Sequence, residues 1–143
     1  MEFVEIDWNS NLYSLEIELR TRLLRTPLGL TFSSEELEAE AAELHFALVD
    51  QEQVRACAVI VPLSSDLAKL RQMAVHENYQ RKGLGSCLIR QIEPTLQQRG
   101  FRNIELNARE EAVYFYQRLG YQTVGDRFME VGINHWKMHR QLC

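Results

Sequence analysis

The feature that most constrains the fold is the passage from Leu67 to Gly100. A strand-like run, Leu67 to Val75, leads into Asn78-Tyr79-Gln80-Arg81-Lys82-Gly83-Leu84-Gly85, after which Leu88, Ile92 and Leu96 recur at helical spacing until Gly100. The first N–H groups of a helix have no partner inside it and stand at the positive end of its dipole. Gly83 and Gly85 leave those groups open to approach, and Arg81 and Lys82 add cationic attraction. Such a terminus can take up phosphate oxygens. It is not a Walker loop, because Gly-Lys-Ser/Thr is missing, and it is too short for the dinucleotide fingerprint. A solvated turn before an ordinary helix would use the same residues.

Strand and helix signals surround this segment. Phe3 to Trp8 reads as a first strand, and Leu12, Leu15, Ile17, Leu19, Leu23 and Leu24 predict a helix after Ser10, closed by Pro27 and Gly29. Ser33 or Ser34 can cap a second helix, with Glu35, Glu36 and Glu38 near its positive end. His45 to Val49 and Val54 to Pro62 read as a hairpin across the turn Asp50 to Gln53. Pro94 should kink or shorten the helix after Gly85. Phe101 to Asn107 is the next strand and Arg109 to Leu119 the next helix. Ala112, Phe115, Tyr116 and Leu119 form its buried stripe, and Gly120 its left-handed cap. Tyr121 to Val124 and Asn134 to Leu142 read as final strands. The order β-α-α-β-β-β-α-β-α-β-β mixes hairpins with a β-α-β crossover. It predicts one α/β (equally, α+β) domain over residues 1–143, with four helices on a mixed sheet of about seven strands.

Composition narrows the partners. The chain is 45% hydrophobic and 25% charged, as folded soluble domains are, and its net charge of -4 argues against nucleic-acid binding, which needs a basic face. Cys57, Cys87 and Cys143 lack metal-ligand spacing and suit reduced thiols in a cytoplasmic protein; Cys87, inside the helix after Gly85, reads as packing. Met1-Glu2-Phe3-Val4-Glu5 shows no leader pattern, and no apolar run approaches the roughly 20 residues that span a bilayer. No membrane role is expected. His76-Glu77 begins no HExxH motif, and His135 with His139 would fall short of a zinc ligand set, so no metal is expected either.

Gln80-Arg81-Lys82-Gly83-Leu84-Gly85 matches Q/R-x-x-G-x-G/A, and with its surroundings it resembles the acetyl-CoA signature of the GNAT N-acetyltransferase superfamily. Leu70-Arg71-Gln72-Met73-Ala74-Val75 is similar to the family's central strand. Ala112-Val113-Tyr114-Phe115-Tyr116-Gln117-Arg118-Leu119-Gly120-Tyr121 is similar to its A-x-x-F-Y-x-x-L-G-F helix, and Phe128 to Met138 to the F-x-E-x-G-I-x-H-x-x-M ending of one bacterial-type subgroup. The resemblance implies a V-shaped split between the fourth and fifth strands that admits the pantetheine arm of acetyl-CoA. On this account the backbone of Met73, Ala74 and Val75 pairs with that arm. Gln80 begins the cofactor-binding segment, and with it Arg81, Lys82, Gly83, Leu84, Gly85 and Ser86 hold the pyrophosphate. Asn107 and Tyr116 contact the cofactor near its reactive end. A homodimer is a further implication of the resemblance.

A thioester is already activated, so direct transfer to an amine leaves the protein three tasks. Charge on the carbonyl oxygen must be stabilised, for which the N–H of Val75 is the family-based choice. The leaving thiolate should be protonated, and Tyr116 is the candidate: a phenol, with reference pKa near 10 against about 8.5 for a thiol, keeps its proton at neutral pH. The same tyrosine could be only a core aromatic. The amine must lose a proton, for which Glu130, Glu105 and His135 remain open. The acceptor is expected to be a small amine, with Arg25 to Ser34 lining its pocket. A protein-acetylating enzyme with a wide groove, a non-catalytic acetyl-CoA sensor and a generic nucleotide binder are the rivals.

Overall fold

The computed structural model describes residues 1–142, so Cys143 lies outside the described residues. Seven strands form one sheet: β1 (Glu2–Glu5), β2 (Leu44–Asp50), β3 (Gln53–Pro62), β4 (Leu67–Val75), β5 (Asn103–Arg109), β6 (Gln122–Glu130) and β7 (Ile133–Gln141). Their order across the sheet is β1-β2-β3-β4-β5-β7-β6, and every neighbouring pair is antiparallel except β4 and β5. Four α-helices, α1 (Asn11–Arg20), α2 (Ser34–Ala39), α3 (Leu84–Gln98) and α4 (Val113–Arg118), complete the predicted mixed α/β architecture. Among the described residues no helix is long and apolar enough to cross a membrane.

The caps follow the sequence closely. Ser10 accepts from the N–H of Tyr13 at 3.2 Å, and Ser33 forms a reciprocal capping box with Glu36. Gly120, at φ +96°, ends α4 in a Schellman motif. The N–H of Tyr121 donates to Tyr116 O and that of Gly120 to Gln117 O, both at 3.0 Å.

Four expectations need correction. The first strand ends at Glu5, before the turn that leads to the Ser10 cap. Pro94 does not shorten α3, which continues to Gln98; the proline sits on an exposed position, where the carbonyl it leaves unbonded can be hydrated. The last helix does not begin at Arg109. Arg109 still pairs with His135 in the sheet, a 3₁₀ turn covers Glu110–Ala112, and α4 starts at Val113. The strand expected over Tyr121 to Val124 is longer, running from Gln122 to Glu130 through Gly125-Asp126-Arg127. That tripeptide is a bulge within the edge strand β6, which pairs with β7 down to Glu130.

The sheet is covered on both faces. Leu88, Ile89, Ile92 and Leu96 of α3 pack on Ala68, Leu70, Ile104 and Leu106, all almost fully buried. On the other face Tyr13 and Leu19 of α1 pack on Ala47, Cys57 and Ala74. Burial pushes the Cys57 thiol up, so it stays protonated.

Beneath α1 lies a closed polar cluster. Arg20 donates to Glu16 Oε2 at 2.6 Å and forms a bidentate pair with Glu40, which also accepts from the Tyr13 hydroxyl at 2.7 Å. His45 places Nε2 2.9 Å from Glu40 O and Nδ1 3.1 Å from Glu16 Oε2. With Glu16 ionised both partners are acceptors, an arrangement that favours the cationic ring, in which both nitrogens donate. Two carboxylates then face two cations, and the buried set is neutral. Burial works against the charged ring, but the hydrogen bond and charge of Glu16 outweigh it and raise the His45 pKa. Burial likewise opposes ionisation of Glu40, yet Arg20 holds its pKa below the usual value of 4.5.

The resulting pH dependence has a definite sign. The contribution of His45 is fully present below its unfolded value of 6.5 and is lost as pH rises through the raised folded value. That of Glu40 is present above 4.5 and lost as pH falls through the lowered one. Urea unfolding should therefore give a higher midpoint near pH 6 than near pH 9, and His45→Gln should flatten that slope. An unchanged slope in the variant would assign the alkaline loss to another group.

Candidate active site

The parallel pairing of β4 with β5 covers only Leu67↔Asn103 to Leu70↔Leu106. Beyond it β4 bulges: the register with β3 passes from Val59↔Arg71 to Cys57↔Ala74, so Gln72 and Met73 together oppose Ala58, and Gln72 takes φ +52°. A bulge bends its strand. Here it coincides with the parting of β4 from β5, and a cavity of about 500 Å³ opens between them. Its lining includes Gln72, Met73, Asn107 and Tyr116 from the split, Leu24, Arg25, Leu28 and Leu30 from the segment after α1, and Glu130, Val131 and His135 from the β6–β7 hairpin.

The ladder with β3 fixes the orientation of Val75. The N–H of His76 donates to Arg55 O at 2.8 Å, and in an antiparallel pair hydrogen-bonding residues alternate with non-bonding ones. Val75, opposite Ala56, therefore turns its own N–H and C=O away from β3, toward the gap. Gln80 Nε2 takes that carbonyl at 3.0 Å. Its side chain thus ties the start of the loop to the end of β4.

Arg81 and Gly83 both adopt positive φ, +63° and +81°, and Gly83 is the N-cap of α3 without a side-chain cap. The N–H of Cys87 closes the first helical bond on Gly83 O at 3.0 Å, which leaves those of Leu84, Gly85 and Ser86 without intrahelical partners. Arg81 and Lys82 are exposed beside them. A Cβ at Gly85 would lie 2.7 Å from Met73 Cε and 3.2 Å from Phe115 Cζ, so the flexible end of Met73 would have to move aside and Phe115 give by a few tenths of an ångström. Met73 in turn connects the loop to Tyr116, whose hydroxyl lies 3.8 Å from its Sδ. No stronger partner for that hydroxyl is present among the described residues. Burial pushes the Tyr116 pKa up to about 12, and the ring sits edge-on to Phe115 and Tyr121.

The three acid–base candidates separate. His135 is buried, with Nδ1 2.8 Å from Ile133 O; the proton belongs on Nδ1, so Nε2 presents a lone pair when the ring is neutral. Nε2 lies 3.5 Å from Glu130 Oε2, and both residues line the cavity. Glu105 does not line it and is paired with Lys137 at 3.0 Å. Tyr114 is 70% exposed, away from the cavity. Cys87, read from sequence as packing, is exposed on α3 with its sulfur accepting from Gln91, because its position on the helix faces water. His139, at the far end of β7, contacts Asn103 Oδ1 at 3.0 Å. Sequence reasoning missed Gln72, whose left-handed backbone leaves no trace in residue type.

These groups fit a long, partly phosphorylated acyl donor. Free N–H groups stand at the α3 terminus, β4 has an unpaired edge beyond Leu70, and the buried Gln72 Oε1 has no hydrogen-bond partner. Residues 29–142 match the acetyltransferase (GNAT) domain family. The Bacillus subtilis N-acetyltransferase YitI, itself uncharacterised, is 28% identical over 132 residues, covering 87% of this chain and 89% of its own. The uncharacterised B. subtilis protein YyaT is 33% identical over 75 residues, a match that spans 52% of this chain and 51% of YyaT. An aminoglycoside 6′-N-acetyltransferase solved with coenzyme A superimposes with a TM-score of 0.85 at 20% identity, over 100% of this chain and 98% of that one. With its family match extending over most of the folded chain, and its sheet parting beside an open helix terminus, the chain belongs to the GNAT acetyltransferase family.

Proposed function

We propose that the protein transfers an acetyl group from acetyl-CoA directly to the primary amine of a small acceptor. The observation that carries this reading is proximity: the N–H of Val75 faces away from β3 at the end of β4, and Met73 links the open terminus of α3, through Gly85, to the Tyr116 hydroxyl. The donor, when bound, supplies a thioester carbonyl at which a carbon–nitrogen bond forms as the carbon–sulfur bond breaks. Leu84, Gly85 and Ser86 would bind its pyrophosphate through backbone N–H groups, with Arg81 and Lys82 at the rim. Val75 N–H would stabilise negative charge on the carbonyl oxygen. Tyr116 would donate its hydroxyl hydrogen to the departing sulfur. Glu130, alone or with His135 Nε2, would accept the proton that the amine gives up. Asn107 and the backbone of Met73 and Ala74 would position the donor's arm. No covalent enzyme intermediate is required, since Cys57 is sealed in the core and Cys87 lies outside the cavity.

A cavity of about 500 Å³ is of the size that encloses small ligands. That favours a small acceptor over a docked protein surface. Titration calorimetry with acetyl-CoA, CoA and ATP tests the donor assignment, with micromolar acetyl-CoA binding and little for ATP expected. Gly83→Val places a β-branched residue at φ +81° and crowds the phosphate approach. It should weaken acetyl-CoA binding by about tenfold or more. Unchanged affinity in the variant would place the donor elsewhere.

A further inference from the structure

The acceptor side of the cavity is basic, although the chain as a whole carries -4. Four cations line the cavity, Arg25, Lys69, Arg71 and Arg109, against one carboxylate, Glu130. Arg25 shares its charge with Glu36 at 3.1 Å. Lys69, Arg71 and Arg109 make no ion pair among the described residues, although Glu43 senses the charge of Arg71.

The face on which these cations lie decides what they can serve. Ala68 and Leu70 of β4 and Leu106 and Ala108 of β5 point into the core beneath α3. Side chains alternate across a strand, so Lys69, Arg71 and Arg109 project from the opposite face, toward Arg25 and the segment that follows α1. The loop Arg81–Ser86 and the α3 terminus belong to the α3 side. On the donor reading above, the donor's phosphates are met there; on the other face Glu105 stands opposite Lys69 in the sheet but is paired with Lys137, so the cations that line the cavity remain available to the acceptor.

We propose that the acceptor is a small primary amine that also carries a carboxylate or phosphate, held through that anion by Lys69, Arg71 and Arg109. This inference rests on the acetyl-transfer reading. Charge-assisted hydrogen bonds from arginine to carboxylate or phosphate are among the stronger polar contacts. The same cations repel polyamines, which gives selectivity through an unfavourable contact. They also disfavour the ammonium form of the acceptor, so they ease loss of its proton. Arg109 pairs in register with His135, and Glu130 lies within 3.5 Å of that histidine, so the base candidates adjoin the anion-binding face. An acceptor held by its anion would thus present its amine to them.

The test follows free-thiol release with acetyl-CoA and four acceptors: glutamate, phosphoethanolamine, tyramine and spermidine. One or both anionic amines should exceed tyramine and spermidine in kcat/KM by about tenfold or more, and the better one identifies the anion. Arg71 is exposed, so Arg71→Ala should fold; it should raise KM for the favoured amine by about tenfold while the acetyl-CoA Kd from calorimetry stays the same. Arg71→Glu should shift the preference toward spermidine. If acetyl-CoA binds but neutral or polycationic amines are used equally well, or KM ignores Arg71, the acceptor assignment falls and acetyl transfer stands. If the native chain does not bind acetyl-CoA, both fall.

Discussion

In the Tyr116→Phe variant kcat is expected to fall by about a hundredfold or more, with the Kd for acetyl-CoA nearly unchanged. The substitution removes one hydroxyl and keeps the ring, so the edge contacts with Phe115 and Tyr121 survive and the fold should be unaffected. What disappears is a donor whose partner among the described residues is the Met73 thioether, a weak acceptor that yields readily to a better one. With its pKa pushed up to about 12, the phenol keeps its proton throughout the assay range and should contribute no alkaline limb to the kcat profile below about pH 10. An equal loss in kcat and kcat/KM would mark an interaction made only in the transition state. Full turnover by the phenylalanine variant would remove Tyr116 from proton delivery and leave that task to water.

Arg20→Ala should lower stability by about 3–5 kcal/mol, seen as a large drop in the urea midpoint. Arg20 is fully buried and bonds two carboxylates; its removal leaves Glu16 and Glu40 facing one imidazolium in the interior. The loss reflects stranded charge more than the intrinsic worth of the pairs. Replacing Glu16, Arg20, Glu40 and His45 together by apolar residues of similar size should therefore recover much of it. A single-variant loss below about 1 kcal/mol would mean that water reaches the cluster and screens it. Because α1 leads directly into Leu24, Arg25 and Leu28, loosening here should also disturb the acceptor side of the cavity.

The chain's pattern revealed the site's frame more readily than its electrostatics. β4 is legible to the residue, Leu67–Val75, because the turn and glycines that follow leave little freedom in where it ends. Ser10, Ser33 and Gly120 mark helix ends by local chemistry alone, and they act as such in the fold. Glu16 and Arg20 are different. At i and i+4 on a helix they look like a solvated surface pair, and nothing local announces that Glu40 and His45 will close over them. The bulge at Gln72 is hidden for a similar reason, since the sheet imposes a positive φ on a residue with no preference for one. Lys69 and Arg71 show which face they share, but only the fold shows that this face borders a cavity. Local preference puts Arg109 in a helix, but its sheet pairing with His135 outweighs that preference.

The seam between β4 and β5 has a wider consequence. Only four residue pairs join the half of the sheet that holds β1 to β4 with the half that holds β5, β7 and β6. A ligand that fills the gap and bonds to both strands does more than occupy a site, because it lengthens the bridge between the two halves. By mass action, a ligand at a hundred times its Kd adds about 2.7 kcal/mol to a fold of this kind. Its supply would then govern how long each molecule resists heat and proteases, as well as how fast it works.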